Sequence, residues 1–370
     1  MSETPAGTPL PDPGVLAAAR AEFSPEPGWA FLDTATFGLP PRATTARIAE
    51  ALDGWRLGSI DWYAHDVAAE SARVDFASLL GVDAGEVALL PSISIGVGVV
   101  AAGLRPDTEV LLPDDEYSSV ILPMLVAESR GVGVRQVPFD RLAEEIRAGT
   151  DLVAVSSVQM HTGRAPDLAA ICGRARAVGA RVLLDASQGV PFHDLGGLVR
   201  SVDYLVCAGY KHLLSPRGTA FLYIRGDRWV EVPPLAANWR AVDAERGGSF
   251  LGGPLRLLPT AARFDTSLAL LSWIGATESL ALLRRWRDAG LFGEVARLAG
   301  RLASGLGRPT PPSSLVCVPV RDEAAVTKAL IGARVRAAIR LGSVRLAPHV
   351  WTTDDDVDRA IEALLPHVAE

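Results

Sequence analysis

The sequence predicts an α/β protein, a three-layer sandwich around a mostly parallel sheet, followed by a smaller α+β unit at the C-terminal end. Three observations carry this. Short apolar runs recur between Glu86 and Ile224: Val87 to Leu90, Glu109 to Leu112, Leu152 to Val155, Val182 to Leu184, Tyr204 to Ala208 and Ala220 to Ile224. None alternates polar with apolar, so each reads as a strand covered on both faces. Stretches of helical spacing, such as Ile95 to Leu104 and Leu168 to Val178, separate several of them. Beyond Pro254 the pattern changes to two helices and then strand, helix, strand, helix.

Taken in order, residues 1–28 are rich in Pro, Gly and Ala and predict an arm with a short helix at Val15 to Phe23. The segment WAFLDTATFGLPP is a short strand running into a turn. Ile48, Ala51, Leu52 and Trp55 space a helix from Arg42 to Leu57, and Ala68 to Leu80 forms another. The large unit runs over 29–265 and the small one over 266–370. In the latter, helices are expected at Thr266 to Trp286, Leu291 to Leu306, Ala324 to Leu330 and Asp354 to Leu365, with strands at Leu315 to Val320 and Ser343 to Ala347. Trp62, Tyr63, Asn238 and Trp239 fall in loop-like stretches that could line a site as readily as the surface.

Composition excludes several classes of function. A chain of 370 residues, 49% hydrophobic and with a net charge of -7, can bury a large core and offers no basic surface to nucleic acid. No apolar run reaches the roughly 18 residues of a membrane helix, and MSETPAGTPLPDPG has no basic or apolar leader region, so a cytoplasmic protein is expected. Cys172, Cys207 and Cys317 stand far apart without metal-ligand spacing, and the histidines form no HExxH pattern. Neither a disulfide framework nor a metal centre is expected.

In sheets of this kind functional residues collect in the loops after the carboxyl ends of strands. Asp185 ends the strand RVLLD, Lys211 follows the strand YLVCA and a short turn, and Ser92 to Gly96 follow a third strand. A carboxylate at a buried strand end needs a cationic or hydrogen-bonding partner. Asp185 could also cap the turn ASQG, and Lys211 alone could be a solvated loop residue. Together, an acid and an amine at neighbouring strand ends suit pyridoxal phosphate, which takes an amine for a Schiff base and an anion beside its ring nitrogen.

The stretches DASQGVPFHDL and VDYLVCAGYKHLLSPRGTAFLY resemble the cofactor-lysine region of the class V aminotransferase family of fold-type I pyridoxal phosphate enzymes. The resemblance extends upstream to LPSISIGVGVVAAGL, where the family has a hydroxyl-bearing turn at a helix start, and downstream to SVRLAPHVWTTDDDVDRAIEAL. It implies Lys211 as the Schiff-base lysine and proton shuttle, Asp185 as partner of the ring nitrogen, and Gln188 as donor to the phenolic oxygen. Tyr117, after Glu116, aligns with the residue that stacks on the ring. Ser94 and the backbone of Ile95 would hold the phosphate with help from Tyr210, and Arg345 the substrate α-carboxylate. Thr266 and Ser267 fall where the family reaches the phosphate of a partner subunit, which implies a homodimer. Read without the resemblance, Tyr117 could be rim packing and Ser94 an ordinary helix cap.

The chain departs from the family pattern at two points. Ala208 stands where many members have Ser, and Met160 where many have Asn, with Gln159 and His161 the candidates to replace that contact. The resemblance also bears on the reaction. Desulfuration needs a nucleophilic Cys on a mobile loop shortly before the substrate arginine, whereas Cys317 lies in the apolar run SSLVCVPV. Desulfurase chemistry is therefore disfavoured. The tone of the chain is similar to the branch with aminotransferase, isopenicillin N epimerase-like and kynureninase-like members. Amino-group transfer on a small amino acid is the leading expectation; a C–S or C–C lyase or an epimerase is the alternative, with Tyr117 or His161 as the extra proton donor or acceptor. The Ala- and Arg-rich composition points to secondary metabolism as a setting.

Overall fold

The computed structural model describes residues 11–243 and 255–369; the first ten residues of the expected arm lie outside that range, and the rest of it opens with α1 (Pro13–Ala21), the short helix expected at Val15 to Phe23. Seven strands form the main sheet: β2 (Val87–Leu90), β3 (Glu109–Pro113), β4 (Gly133–Val137), β5 (Leu152–Ser156), β6 (Arg181–Asp185), β7 (Tyr204–Ala208) and β8 (Ala220–Ile224), in the order β2-β8-β7-β6-β5-β3-β4. Neighbours from β4 to β7 are parallel, and β8 runs antiparallel to both β7 and β2. All six expected strands are present. The seventh, β4, was not foreseen because it is an edge strand whose residues Gly133 to Gln136 are not buried, so it lacks the continuous apolar signature of a covered strand.

Helices pack on both faces. On one side lie α2 (Arg42–Leu57), α3 (Trp62–Leu80), α6 (Leu168–Val178) and α7 (Leu270–Asp288), and on the other α4 (Ile93–Ala102) and α5 (Ser118–Ala127). Three boundaries differ from expectation. Helix α3 starts at Trp62, with the Asp61 side chain accepting from Ala64 N at 2.9 Å, so Trp62 and Tyr63 open a helix rather than sit in a loop. Helix α7 starts at Leu270 rather than Thr266, because Asp265 is anchored in the core and Thr266 N donates to Leu89 O at 3.3 Å, tying the preceding segment to β2. In α4 the cap is Ser92, whose Oγ accepts from Ile95 N at 3.4 Å, which places Ser94 in the first turn instead of at the cap. Asn238 opens a short 3₁₀ turn over Trp239–Ala241.

The C-terminal unit has its own core. A three-stranded antiparallel sheet in the order β11-β12-β9 (β11 Ala338–Arg340, β12 Ser343–Leu346, β9 Val316–Pro319) is covered by α8 (Leu291–Gly305), α9 (Glu323–Gly332) and α10 (Asp354–Leu364). The chain near the N-terminus joins this core: β1 (Ala30–Phe31) pairs in parallel with β10 (Val335–Arg336), and Ala30 and Leu32 are fully buried among Leu298, Leu302 and Val344. From there the chain passes directly over the main sheet. Gly38 N donates to Tyr210 O at 2.9 Å, and a Cβ on Gly38 would lie 2.3 Å from the Lys211 carbonyl oxygen, so this crossing admits no side chain.

Beneath the Lys211 turn the two units meet at a pair of buried imidazoles. His349 accepts from Val350 N at Nδ1 (2.9 Å) and donates from Nε2 to the His212 carbonyl (3.1 Å), which fixes it as the neutral tautomer. Its ring stacks on Trp351 at 4.7 Å, and the edge of Phe192 meets both imidazoles. Burial pushes both pKa values down, that of His212 well below its usual range and that of His349 from 6.5 to about 3. The native state thus refuses a proton that the unfolded chain accepts, so stability falls as pH drops through the unfolded value, and continues to fall until the folded value is reached. For one such imidazole the loss between pH 7 and 5 is about 2 kcal/mol. His349→Asn should reduce the pH 7 to pH 5 decrease in urea-unfolding free energy by about that amount; an unchanged decrease would show that His349 is not held neutral.

Candidate active site

The carboxyl ends of the parallel strands gather the site. The chain leaves β3 outward to β4 and returns across it to β5, then continues to β6 and β7, so the sequence order reverses between β3 and β5. Such a switch opens a crevice above the strand ends. Loops after β3 (residues 114–117), β5 (157–161) and β6 (186–188) and the turn after β7 all face it.

Lys211 is one of two lysines in the chain; the other, Lys328, is exposed on α9. Its side chain is only 6% exposed and makes no ion pair among the described residues, and Nζ lies 5.2 Å from the centre of the Tyr117 ring. Burial lowers its pKa, Asp185 pulls it back up, and the Arg345 charge pushes it down again. Asp185 is 4% exposed and accepts from Ser187 N at 2.8 Å; burial raises its pKa and Lys211 lowers it. Acid and amine feel each other without pairing directly.

The turn carrying Lys211 is over-determined. Leu214 holds a left-handed conformation (φ 55°) while buried, a state that costs a non-glycine residue roughly 1–2 kcal/mol. Ser215 N bonds to Gly209 O (2.9 Å), Leu214 N to Lys211 O (3.1 Å), and the Ser279 hydroxyl of α7 to Leu214 O (2.9 Å). These bonds hold the strained turn in place.

Around this pair the other expected residues are placed as follows. Tyr117 precedes α5, and its backbone N–H donates to the Glu116 carboxylate at 2.7 Å. Glu116 is itself buried, accepts from both the backbone and the hydroxyl of Ser156 (2.7 and 2.6 Å), and has its pKa raised by burial. Gln188 donates from Nε2 to Ala35 O (3.0 Å) and meets His212 Nε2 through Oε1 (2.9 Å), so one amide hydrogen remains for a further partner. Ser94 Oγ lies 3.0 Å from Ser92 Oγ at the N-terminus of α4, beside the exposed Ile95. Tyr210 stacks against Phe37 at 6.0 Å. Ser267 is exposed in the segment that precedes α7.

Arg345 on β12 is 4% exposed and reaches the same crevice. Its Nη2 donates to Thr36 Oγ1 (2.7 Å) and its Nη1 lies 3.4 Å from Met160 O, while Nε is buried without a partner. It forms no ion pair among the described residues, and burial lowers its pKa. By contrast Arg336 pairs with Glu26, and Arg340 donates to the neighbouring Ile339 carbonyl at an exposed edge. His161 approaches Asp115 Oδ2 at 3.3 Å and leaves a buried Nδ1 without a partner, as does the buried Nε2 of Gln159.

Sequence reasoning missed three residues here, Thr36, His212 and Arg217, and gave Glu116 only as the neighbour of Tyr117. The Arg217 guanidinium lies over the rings of Tyr210 (4.6 Å) and Phe37 (5.7 Å) and forms no ion pair among the described residues. Only Arg217 carried a signal, as a cation in the Gly- and Pro-containing turn SPRG; the others act through long-range hydrogen bonds. Among the described residues no group of three or more His, Cys, Asp and Glu could hold a metal, and no helix is long and apolar enough to cross a membrane.

The donor set fits pyridoxal phosphate on these atoms: a buried amine and a buried carboxylate, neither in an ion pair among the described residues, a guanidinium with an orphan Nε, and a hydroxyl-bearing helix start. Comparison with known proteins agrees. The chain is 27% identical to isopenicillin N epimerase of Streptomyces clavuligerus over 94% of this chain and 96% of the relative. It is 27% identical to an uncharacterized aminotransferase of Bacillus subtilis over 80% and 82%. Other relatives include a kynureninase and cysteine desulfurases. A solved cystine C–S lyase in complex with cysteine persulfide superposes with a TM-score of 0.81 at 21% identity, covering 92% of this chain and 98% of that one. The family profile described as aminotransferase class-V matches residues 59–254, and the chain belongs to that family of pyridoxal phosphate enzymes.

Proposed function

We propose that the protein transfers the amino group of a small-molecule α-amino acid. The observation that carries this reading is the convergence of Lys211, Asp185 and Arg345 in one crevice, each buried and none in an ion pair among the described residues. Arg345 offers a desolvated guanidinium to the substrate α-carboxylate, with Thr36 orienting the fork. Asp185 would face the ring nitrogen of the cofactor, Tyr117 its ring, Ser94 and the α4 N-terminus its phosphate. When bound, pyridoxal phosphate supplies an electron sink for bond breaking at the substrate Cα. Lys211 moves the proton at Cα, and its burial favours the neutral amine that can accept one. Amino-group transfer needs only this one base.

Two observations bear on the competing reactions. Cys317 is 6% exposed within β9 and burial pushes its thiol up to about 12, so it stays protonated and unreactive, which disfavours persulfide chemistry. His161, with its buried Nδ1 unpartnered, favours a second reading: epimerisation, in which a second base works on the face opposite Lys211. We also infer that a second copy of the chain covers an aromatic face. Trp55 (64% exposed), Trp62 (49%) and Leu57 (68%) are too open for a free surface of their size, and a cavity of about 450 Å³ between Trp55, Trp62 and Leu270 lies close to exposed Ser267.

Mixing holoenzyme with single amino acids, without a keto-acid acceptor, should convert the yellow cofactor to the pyridoxamine form. In Arg345→Ala this conversion should need far higher amino-acid concentrations, a loss of roughly 2–5 kcal/mol of binding, with cofactor occupancy kept. Inversion of the amino acid without that spectral change supports the epimerase reading instead, and release of ammonia with pyruvate supports a lyase. For the assembly, sedimentation equilibrium should give twice the 39.1 kDa chain mass, shifted towards the single chain by Trp62→Glu. A wild-type monomer at micromolar concentration would contradict it.

A further inference from the structure

A cavity of about 720 Å³ opens along β9 and β12, lined by Gly163, Leu315, Cys317, Pro311, Pro312 and Arg308. Cys317 is paired with Arg345 across β9 and β12, so the two side chains emerge on the same face, with Cβ atoms about 4.5–5.5 Å apart. The cavity wall is therefore one residue away from the proposed α-carboxylate contact. The Cys317 thiol feels both guanidinia, since Arg345 and Arg308 each pull its pKa downward against burial.

Arg308 has no counter-charge among the described residues. It forms no ion pair among the described residues, and its Nε is buried without a hydrogen-bond partner. Other arginines nearby are satisfied: Arg164 on the same cavity pairs with Asp140, and Arg301 at the end of α8 pairs with Asp354 and Asp358. The backbone N–H of Arg308 is fixed to Ala303 O at 2.8 Å, and the segment that follows, Pro309-Thr310-Pro311-Pro312, is stiffened by its prolines. The main chain that carries the cation is thus ordered before any ligand arrives, which lowers the ordering cost of binding. The remaining walls are largely apolar and suit a methylene stem.

We infer that this cavity receives the side chain of the amino-acid substrate, and that this side chain ends in a carboxylate several carbons from Cα, which pairs with Arg308. The inference rests on the reading of Arg345 as the α-carboxylate site, and names the substrate class for it: α-amino acids with a second, distal carboxylate. A largely apolar cavity that carries the Arg308 guanidinium, one cross-strand neighbour away from Arg345, selects against neutral side chains, because these leave Arg308 unpaired while desolvating it.

The test compares L-2-aminoadipate with L-norleucine, similar in length and lacking the distal charge, by titrating the visible spectrum of the holoenzyme. Aminoadipate should saturate at a concentration lower by roughly tenfold or more, as expected for a desolvated ion pair. In Arg308→Gln the two amino acids should saturate at similar concentrations, and Arg308→Lys should restore part of the preference. Equal saturation in the wild type, or a preference that survives in Arg308→Gln, overturns the proposal. A second readout needs no cofactor: adipate should raise the thermal unfolding temperature of the apoprotein more than hexanoate does, and lose that advantage in Arg308→Gln. If no cofactor band forms at all, the functional reading above fails while the adipate comparison still decides the role of Arg308; an equal shift with adipate and hexanoate overturns it.

Discussion

The structure is organised around an amine removed from water. Lys211 is almost fully buried and, among the described residues, meets no carboxylate at bonding distance, a state that is costly unless something bonds to it. Three things keep it there. The turn is locked by backbone bonds and by Ser279 from α7, the glycine at 38 lets the N-terminal segment close over it, and the neutral pair His212 and His349 fills the space beneath. Because these supports come from the N-terminal segment, the main sheet, α7 and the C-terminal unit, the site requires the whole fold.

Electrostatics in the crevice follow from the same burial. Asp185, Glu116, Lys211 and Arg345 all have pKa values moved toward the neutral form by desolvation, and each is restored in part by a neighbour of suitable charge or by hydrogen bonds. Such groups gain most from a ligand that brings the missing charge. A cofactor with an anionic phosphate and a protonatable ring nitrogen, and a substrate with a carboxylate, supply charges that these groups lack among the described residues. The match to the class-V aminotransferase profile leads to the same cofactor.

Most of the sheet was legible in the sequence, because β5 to β8 are covered on both faces and their apolar runs are continuous. Where one face is open the signal vanished, as in β4. Helix α5 was missed for a different reason: it carries Pro123 and is apolar nearly all round, so it shows no stripe. The start of α3 was hidden because Trp62 and Tyr63 are exposed aromatics ahead of the periodic segment. Among the site residues, Lys211 and Asp185 were visible since strand ends and turns mark them locally. Thr36 and His212 were invisible because their partners lie at positions 345 and 349, far along the chain, and the bond from Ser156 to Glu116 was hidden for the same reason. The choice of Arg345 over Arg336 and Arg340 rests in the structure on sheet register and on ion pairing, neither of which a sequence pattern contains.

The presence of only two lysines makes the central claim open to a direct measurement. Borohydride reduction of the holoprotein followed by peptide mass spectrometry locates the lysine that carries the cofactor. The account predicts the pyridoxyl mass on the peptide containing Lys211 alone; its appearance on the Lys328 peptide, or on neither, would contradict it.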